Sequence, residues 1–170
     1  MTQHRVLIAG IGNIFMGDDA FGCEVTQRLM QRRWPDDVKI VDFGIRGLDL
    51  AYALMDAHET TILVDATPQG STPGTVYVME LTPDDAGEAS AFLDAHSMHP
   101  LNVLRMVRTL GGVPGRILLV GCEPAELGDE WEETMGLSEP VLAAIDIAIQ
   151  RIETLVSELL QSSREAMGSR

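Results

Sequence analysis

Asp18, Asp19, Asp65, His96 and His99 are the residues of this chain whose types could do chemistry together. Carboxylates and an imidazole make a mixed oxygen–nitrogen ligand set suited to nickel, zinc or manganese, and three protein ligands leave coordination positions open. An aspartate at a strand end can equally cap a neighbouring helix, so residue types alone leave both readings standing. Other chemistries fit less well. No serine sits in a nucleophile elbow, and neither Cys23 nor Cys122 has a histidine beside it in sequence, which disfavours covalent serine or cysteine hydrolysis. Gly10-Ile11-Gly12 follows an apolar run as in a dinucleotide fingerprint, but Phe15 stands where the third glycine belongs and no P-loop lysine follows. Asp18 and Asp19 would also repel a pyrophosphate, so no nucleotide cofactor is expected. The glycines are read instead as a tight turn that brings Asp18 and Asp19 to a cleft, with the backbone open to a peptide.

These residues need elements to position them. Short apolar runs predict strands at 5–9, 38–42, 61–65 and 116–121, and the alternating run 75–81 predicts another. Helical spacing appears at 20–33, 48–57, 100–110 and 139–160, the last with Ser138 as its cap and Val141, Ile145, Ile149, Ile152, Leu155 and Leu159 along one stripe. In the helix at 100–110, Leu104, Val107 and Leu110 are the expected buried face. The turn-rich segment Thr67–Gly74 is too short for a parallel crossover, so the strand after it should be an antiparallel edge. The expected fold is therefore α/β: a three-layer sandwich whose five-stranded, mostly parallel sheet has one antiparallel edge strand and helices on both faces. Ligands in such sheets bind at the carboxyl ends of the parallel strands, where Asp19 and Asp65 fall. The long segment 82–99 must climb back to that end, delivering His96 beside them. One domain is expected over residues 1–160, followed by a polar, flexible tail at 161–170.

Composition narrows the partners. The 170 residues carry 26 acidic against 12 basic side chains, a net charge of −14, and Lys39 is the single lysine. Such a surface repels a phosphate backbone and excludes general nucleic-acid binding. No apolar run approaches the ~18 residues of a membrane span, and no signal-like segment follows Met1, so a cytoplasmic protein without a membrane partner is expected. The two cysteines make no CxxC pair and are read as reduced core residues. No long exposed apolar stretch calls for an obligate dimer, and a monomer is expected.

Five segments, taken in order, resemble the nickel–iron hydrogenase maturation endopeptidases, over roughly residues 5–155. The first is Val6–Gly22, an apolar strand followed by Gly10-x-Gly12-Asn13-x3-Gly17-Asp18-Asp19-x2-Gly22. Then come Asp42-x-Gly44-x-x-Gly47, Val64-Asp65-Ala66, Ala95-His96-Ser97-Met98-His99-Pro100 and Gly121-Cys122-Glu123-Pro124. The resemblance implies an endopeptidase, of aspartyl or nickel-dependent type, that trims the C-terminal extension of a hydrogenase large-subunit precursor once nickel is inserted. The nickel is then supplied by the substrate. The resemblance puts the metal-contacting and catalytic role on Asp19, Asp65 and His96; the histidine is the one seven residues before Val103. Gly12, Asn13, Asp18, Asp42, Gly44, Gly47 and His99 become weaker substrate or cleft candidates. Docking onto the nickel would orient the scissile peptide, with the attacking water activated by a carboxylate or polarised by the metal. Asp19, where some relatives carry glutamate, and Phe43 and Ile45, where small or hydroxyl residues are common, bear on which hydrogenase is served. A factor that binds the precursor or nickel without cutting would share every motif.

Overall fold

Alternation along the strands feeds two apolar cores from one sheet. The computed structural model describes residues 4–56, 58–86, 99–125, 127 and 135–169. Its strands are β1 (Val6–Ile11), β2 (Val38–Gly44), β3 (Thr60–Ala66), β4 (Val76–Leu81) and β5 (Arg116–Cys122), in the spatial order β2-β1-β3-β5-β4. All neighbours pair in parallel except β4 with β5, so the antiparallel edge strand stands where the short Thr67–Gly74 loop requires it. The expected α/β sheet with helices on both faces is the fold observed.

Val6 and Ile8 of β1, Ile62 and Val64 of β3, and Leu118 and Val120 of β5 point to one side. There they meet α1 (Phe21–Met30) and α4 (Glu139–Gly168), whose Phe21, Val25 and Leu29 and Val141, Ile145, Ile149 and Ile152 are buried. Leu7, Ala9, Leu63, Ile117 and Leu119 point the other way, onto α2 (Gly47–Met55) and α3 (Pro100–Thr109). Each fully buried aliphatic side chain of this kind contributes about 1.5–3 kcal/mol, and the period of two is what keeps both faces supplied. Among the described residues no helix is long and apolar enough to cross a membrane. Cys23 and Cys122 are buried free thiols, as expected of core residues.

Three boundaries differ from expectation. Helix α1 stops at Met30, where the Trp34 indole N–H donates to the Leu29 carbonyl at 2.8 Å and turns the chain. Leu110 follows the last turn of α3 and is 41% exposed, because Val103, Leu104 and Val107 already fill that face. Helix α4 does not end at 160. It continues to Gly168, through Gln, Arg, Glu, Ala and Met residues that favour helix without needing an apolar stripe. The tail expected at 161–170 is thus helical through residue 168.

Candidate active site

The carboxyl ends of β1 and β3 carry the two aspartates. After Ile11 the chain turns at Gly12, whose φ is +143° and whose N–H donates to the Gly44 carbonyl at 3.0 Å. Asn13 then folds back on itself, its side-chain oxygen accepting from the Phe15 N–H at 2.9 Å. The Asn13 N–H donates to Asp19 Oδ2 at 2.8 Å, which ties the start of the loop to its end. Asp19 lies in a 3₁₀ turn, Asp18–Ala20, and is partly exposed. Burial pushes its carboxyl above the usual carboxylate range, and the Asn13 hydrogen bond acts against that rise.

Asp65 sits near the end of β3, 3% exposed. Its Oδ2 accepts from the Thr67 hydroxyl at 3.2 Å. Its Oδ1 is buried and has no hydrogen-bond partner among the described residues. Burial, and after it the charge of Asp19, raise this carboxyl well above the ordinary range, while Thr67 and the Ala66 backbone act against the rise. Two carboxylates that feel each other, one with an oxygen left unsatisfied, make an arrangement a divalent cation would relieve. Among the described residues no third His, Cys, Asp or Glu completes a metal-holding group with them, and His96 lies outside the described residues.

The other candidates separate by position. Asp18 does not open on the cleft. Successive side chains in a 3₁₀ turn diverge by about 120°, so with Asp19 partly exposed its neighbour faces the body of the protein. There Asp18 is fully buried and accepts from the Ala125 N–H (2.8 Å), the Ser138 N–H (2.7 Å) and the Ser138 hydroxyl (2.8 Å). Ser138 does hold the N-cap position of α4, but its hydroxyl serves Asp18 rather than capping the helix. His99 caps α3, Nδ1 accepting the Leu101 N–H at 3.2 Å; burial, then Arg105, lowers its pKa, which keeps the ring neutral for that role.

Asp42 organises the adjoining turn. Its Oδ1 accepts from the Gly44 N–H at 3.0 Å and its Oδ2 from Gln27 Nε2 at 3.2 Å. Gly44 has φ +55°, and Gly47 opens α2. Between this turn and the segment Gly12–Phe15 lies an open cleft of about 350 Å³, also lined by Cys23 and Gln27. Ile14, Phe15 and Ile45, three of its lining residues, are 44–63% exposed. A larger hollow of about 550 Å³ lies against Thr60, Arg116 and Leu159, at the other end of β3 and β5, where no candidate residue stands. Sequence reasoning gave no role to Thr67, Tyr77 or Glu123. Glu123 belongs to the Gly121–Pro124 segment already singled out, and its carboxylate accepts from the Gln69 and Gly70 N–H groups.

A family model described as hydrogenase maturation protease matches residues 23–155. The chain belongs to the hydrogenase maturation protease family. Among the relatives, the hydrogenase 2 maturation protease of Escherichia coli is 30% identical over 167 residues, covering 96% of this chain and 95% of that one. A putative hydrogenase maturation protease of Methanocaldococcus jannaschii is 32% identical over 154 residues, 89% of this chain and 96% of that one. The structure of the hydrogenase maturating endopeptidase HybD from E. coli superposes with a TM-score of 0.72 at 28% identity, covering 91% of this chain and 93% of that one. Membership supports a protease that processes hydrogenase precursors, and the HybD-like α/β fold agrees with the sheet described above.

The buried state of Asp65 has a measurable consequence for stability. Its folded-state pKa lies above the value near 3.9 expected of an unfolded chain, so the folded protein holds this proton more tightly. Stability from the protonated carboxyl is complete below the ordinary carboxylate range and is lost as pH rises through the raised folded value. Asp65→Asn, neutral at every pH, should therefore be more stable than wild type at pH 8 by about 1–2 kcal/mol, or roughly 2–8 °C. The gap should close towards about pH 4. Thermal melts of the two proteins across that range check this; a variant that melts below wild type at pH 8 contradicts it.

Proposed function

We propose that the protein is an endopeptidase that removes the C-terminal extension of a nickel–iron hydrogenase large-subunit precursor after nickel insertion, recognising the nickel in its substrate through Asp19, Asp65 and His96. The observation that carries this reading is the buried Asp65 with an unpartnered oxygen beside Asp19, at the carboxyl ends of the inner strands, where ligands bind. In the free protein Asp65 favours its proton. A cation brought by the substrate displaces that proton and offsets the repulsion from Asp19 that the newly charged carboxylate would otherwise meet, so docking is strong only for a metal-loaded precursor. Cleavage then reports on cofactor loading, and the docked metal holds the scissile peptide against the cleft. The open cleft between Gly12–Phe15 and Asp42–Arg46, with its exposed apolar side chains, adjoins this point and suits an extended peptide. On this reading the protein works as a monomer in the cytoplasm, with neither nucleic acid nor membrane as a partner.

The test is cleavage of the matching large-subunit precursor, with and without nickel, by wild type and by Asp19→Ala, Asp65→Ala and His96→Ala. Wild type should shorten only the nickel-loaded form, and each variant should be slower by about a hundredfold while staying folded. Binding of the loaded precursor without shortening it would replace this reading with that of a non-cleaving maturation factor. Cleavage of nickel-free precursor at the wild-type rate would remove the metal from the recognition step.

A further inference from the structure

The segment Gly121-Cys122-Glu123 does no chemistry in the reading above, yet it stands beside Asp65. In the register of the sheet Asp65 pairs with Gly121, and Gly121 pairs in turn with Tyr77. A Cβ on Gly121 would lie 2.3 Å from Tyr77 Cζ and 2.4 Å from its Oη, so only glycine lets the phenol ring cross β5. Having crossed, the Tyr77 hydroxyl donates to the Thr67 carbonyl at 2.7 Å. Burial, the largest cause, pushes this phenol up to about 12, so it remains a donor across the working range. The Thr67 N–H donates to the Cys122 carbonyl at 3.1 Å. The backbone of Thr67 is thus held from both β4 and β5, and the residue is 3% exposed. Its hydroxyl, delivered by that anchorage, donates to Asp65 Oδ2 and leaves Oδ1 unpartnered among the described residues.

We propose that Thr67, anchored by Tyr77 and Cys122, is a positioning residue that holds the Asp65 carboxylate through Oδ2 and so keeps the buried Oδ1 free of protein partners for the metal of the substrate. This rests on the proposed docking of Asp65 onto nickel. A side-chain donor anchored in this way restricts the carboxylate to one orientation, and such outer partners typically set metal affinity by about 10–100-fold. Glu123 serves the same loop from the other side, because its carboxylate holds the Gln69 and Gly70 N–H groups that follow Thr67.

Thr67→Val keeps the shape and removes the donor; Thr67→Ser keeps the donor and removes the methyl group. We would titrate Ni2+ ion alone into wild type, both variants and Asp65→Ala by calorimetry, and measure KM and kcat for the nickel-loaded precursor. Thr67→Val should weaken Ni2+ binding and raise KM by about tenfold, with kcat changed less, whereas Thr67→Ser should stay within about twofold of wild type. Tyr77→Phe, which releases the Thr67 carbonyl and keeps the Thr67 hydroxyl, should raise the Ni2+ dissociation constant and KM by about fivefold and supplies a second test if Thr67→Val does not fold. If Asp65→Ala loses Ni2+ binding while Thr67→Val and Tyr77→Phe match wild type, the positioning role is wrong and the nickel reading survives. If Thr67→Ser falls as far as Thr67→Val, the residue acts by packing and the proposal fails. If Asp65→Ala binds Ni2+ like wild type, the nickel reading falls and takes this inference with it.

Discussion

Gly12→Ala should leave a protein that fails to hold its active-site loop, with a stability loss above about 4 kcal/mol and cleavage below detection. Two independent causes add here. The φ of +143° at Gly12 is one that L side chains rarely adopt, and strain of that kind costs on the order of 1–3 kcal/mol. A Cβ there would also lie 1.8 Å from the Asp19 carbonyl oxygen, which is backbone and cannot rotate away. Relief of the clash moves the Gly12 and Asp19 backbones apart, which loads the Asn13–Asp19 hydrogen bond that ties the loop together. Against a total stability of about 5–15 kcal/mol this is a large fraction. Urea denaturation and precursor cleavage measure the two losses. A variant with wild-type melting and wild-type cleavage would show that the loop does not need this close approach.

Asp18→Ala should cost about 3–5 kcal/mol and lower the melting temperature by roughly 10 °C or more, although Asp18 takes no part in the proposed chemistry. The substitution strands the Ala125 N–H, the Ser138 N–H and the Ser138 hydroxyl around a site with no solvent access. It also unties the loop after β1 from the start of α4, the helix whose Val141, Ile145 and Ile149 complete one core. Asp18→Asn keeps the shape and one acceptor but turns an amide N–H towards a donor, so it should lose less than the alanine variant. Any surviving folded fraction of Asp18→Ala should retain metal-dependent cleavage, which separates this residue from Asp19. If alanine costs less than about 1 kcal/mol in urea denaturation, the buried carboxylate is not the tie described here.

The neighbours Asp18 and Asp19 show how far sequence reaches. Both were legible as a pair at the end of β1, and the resemblance singled out Asp19. Their divergent orientations follow from a single turn of 3₁₀ helix, which nothing in the residue types announces. Ser138 is a similar case, because an N-cap serine is a local signal while its use by Asp18 is a contact across 120 residues. His99, next to a proline and a helical run, could have been read as a cap from its position alone. His96 falls outside the described residues, so its approach to Asp19 and Asp65 rests on chain length and resemblance. Helix α4 runs beyond the expected residue 160 for a different reason: an apolar stripe marks where a helix is buried, not where it stops.

The succession of elements, the antiparallel return of β4, and the placing of Asp19 and Asp65 at the carboxyl ends of β1 and β3 are legible in the residues alone. Those are consequences of periodicity, loop length and chain direction, all of which are local. Which carboxylate oxygen is satisfied and which is left bare is settled by contacts that form only in the tertiary structure. That choice depends on Thr67, Tyr77 and Gly121 meeting across three strands, and on burial that removes the water which would otherwise satisfy every oxygen alike.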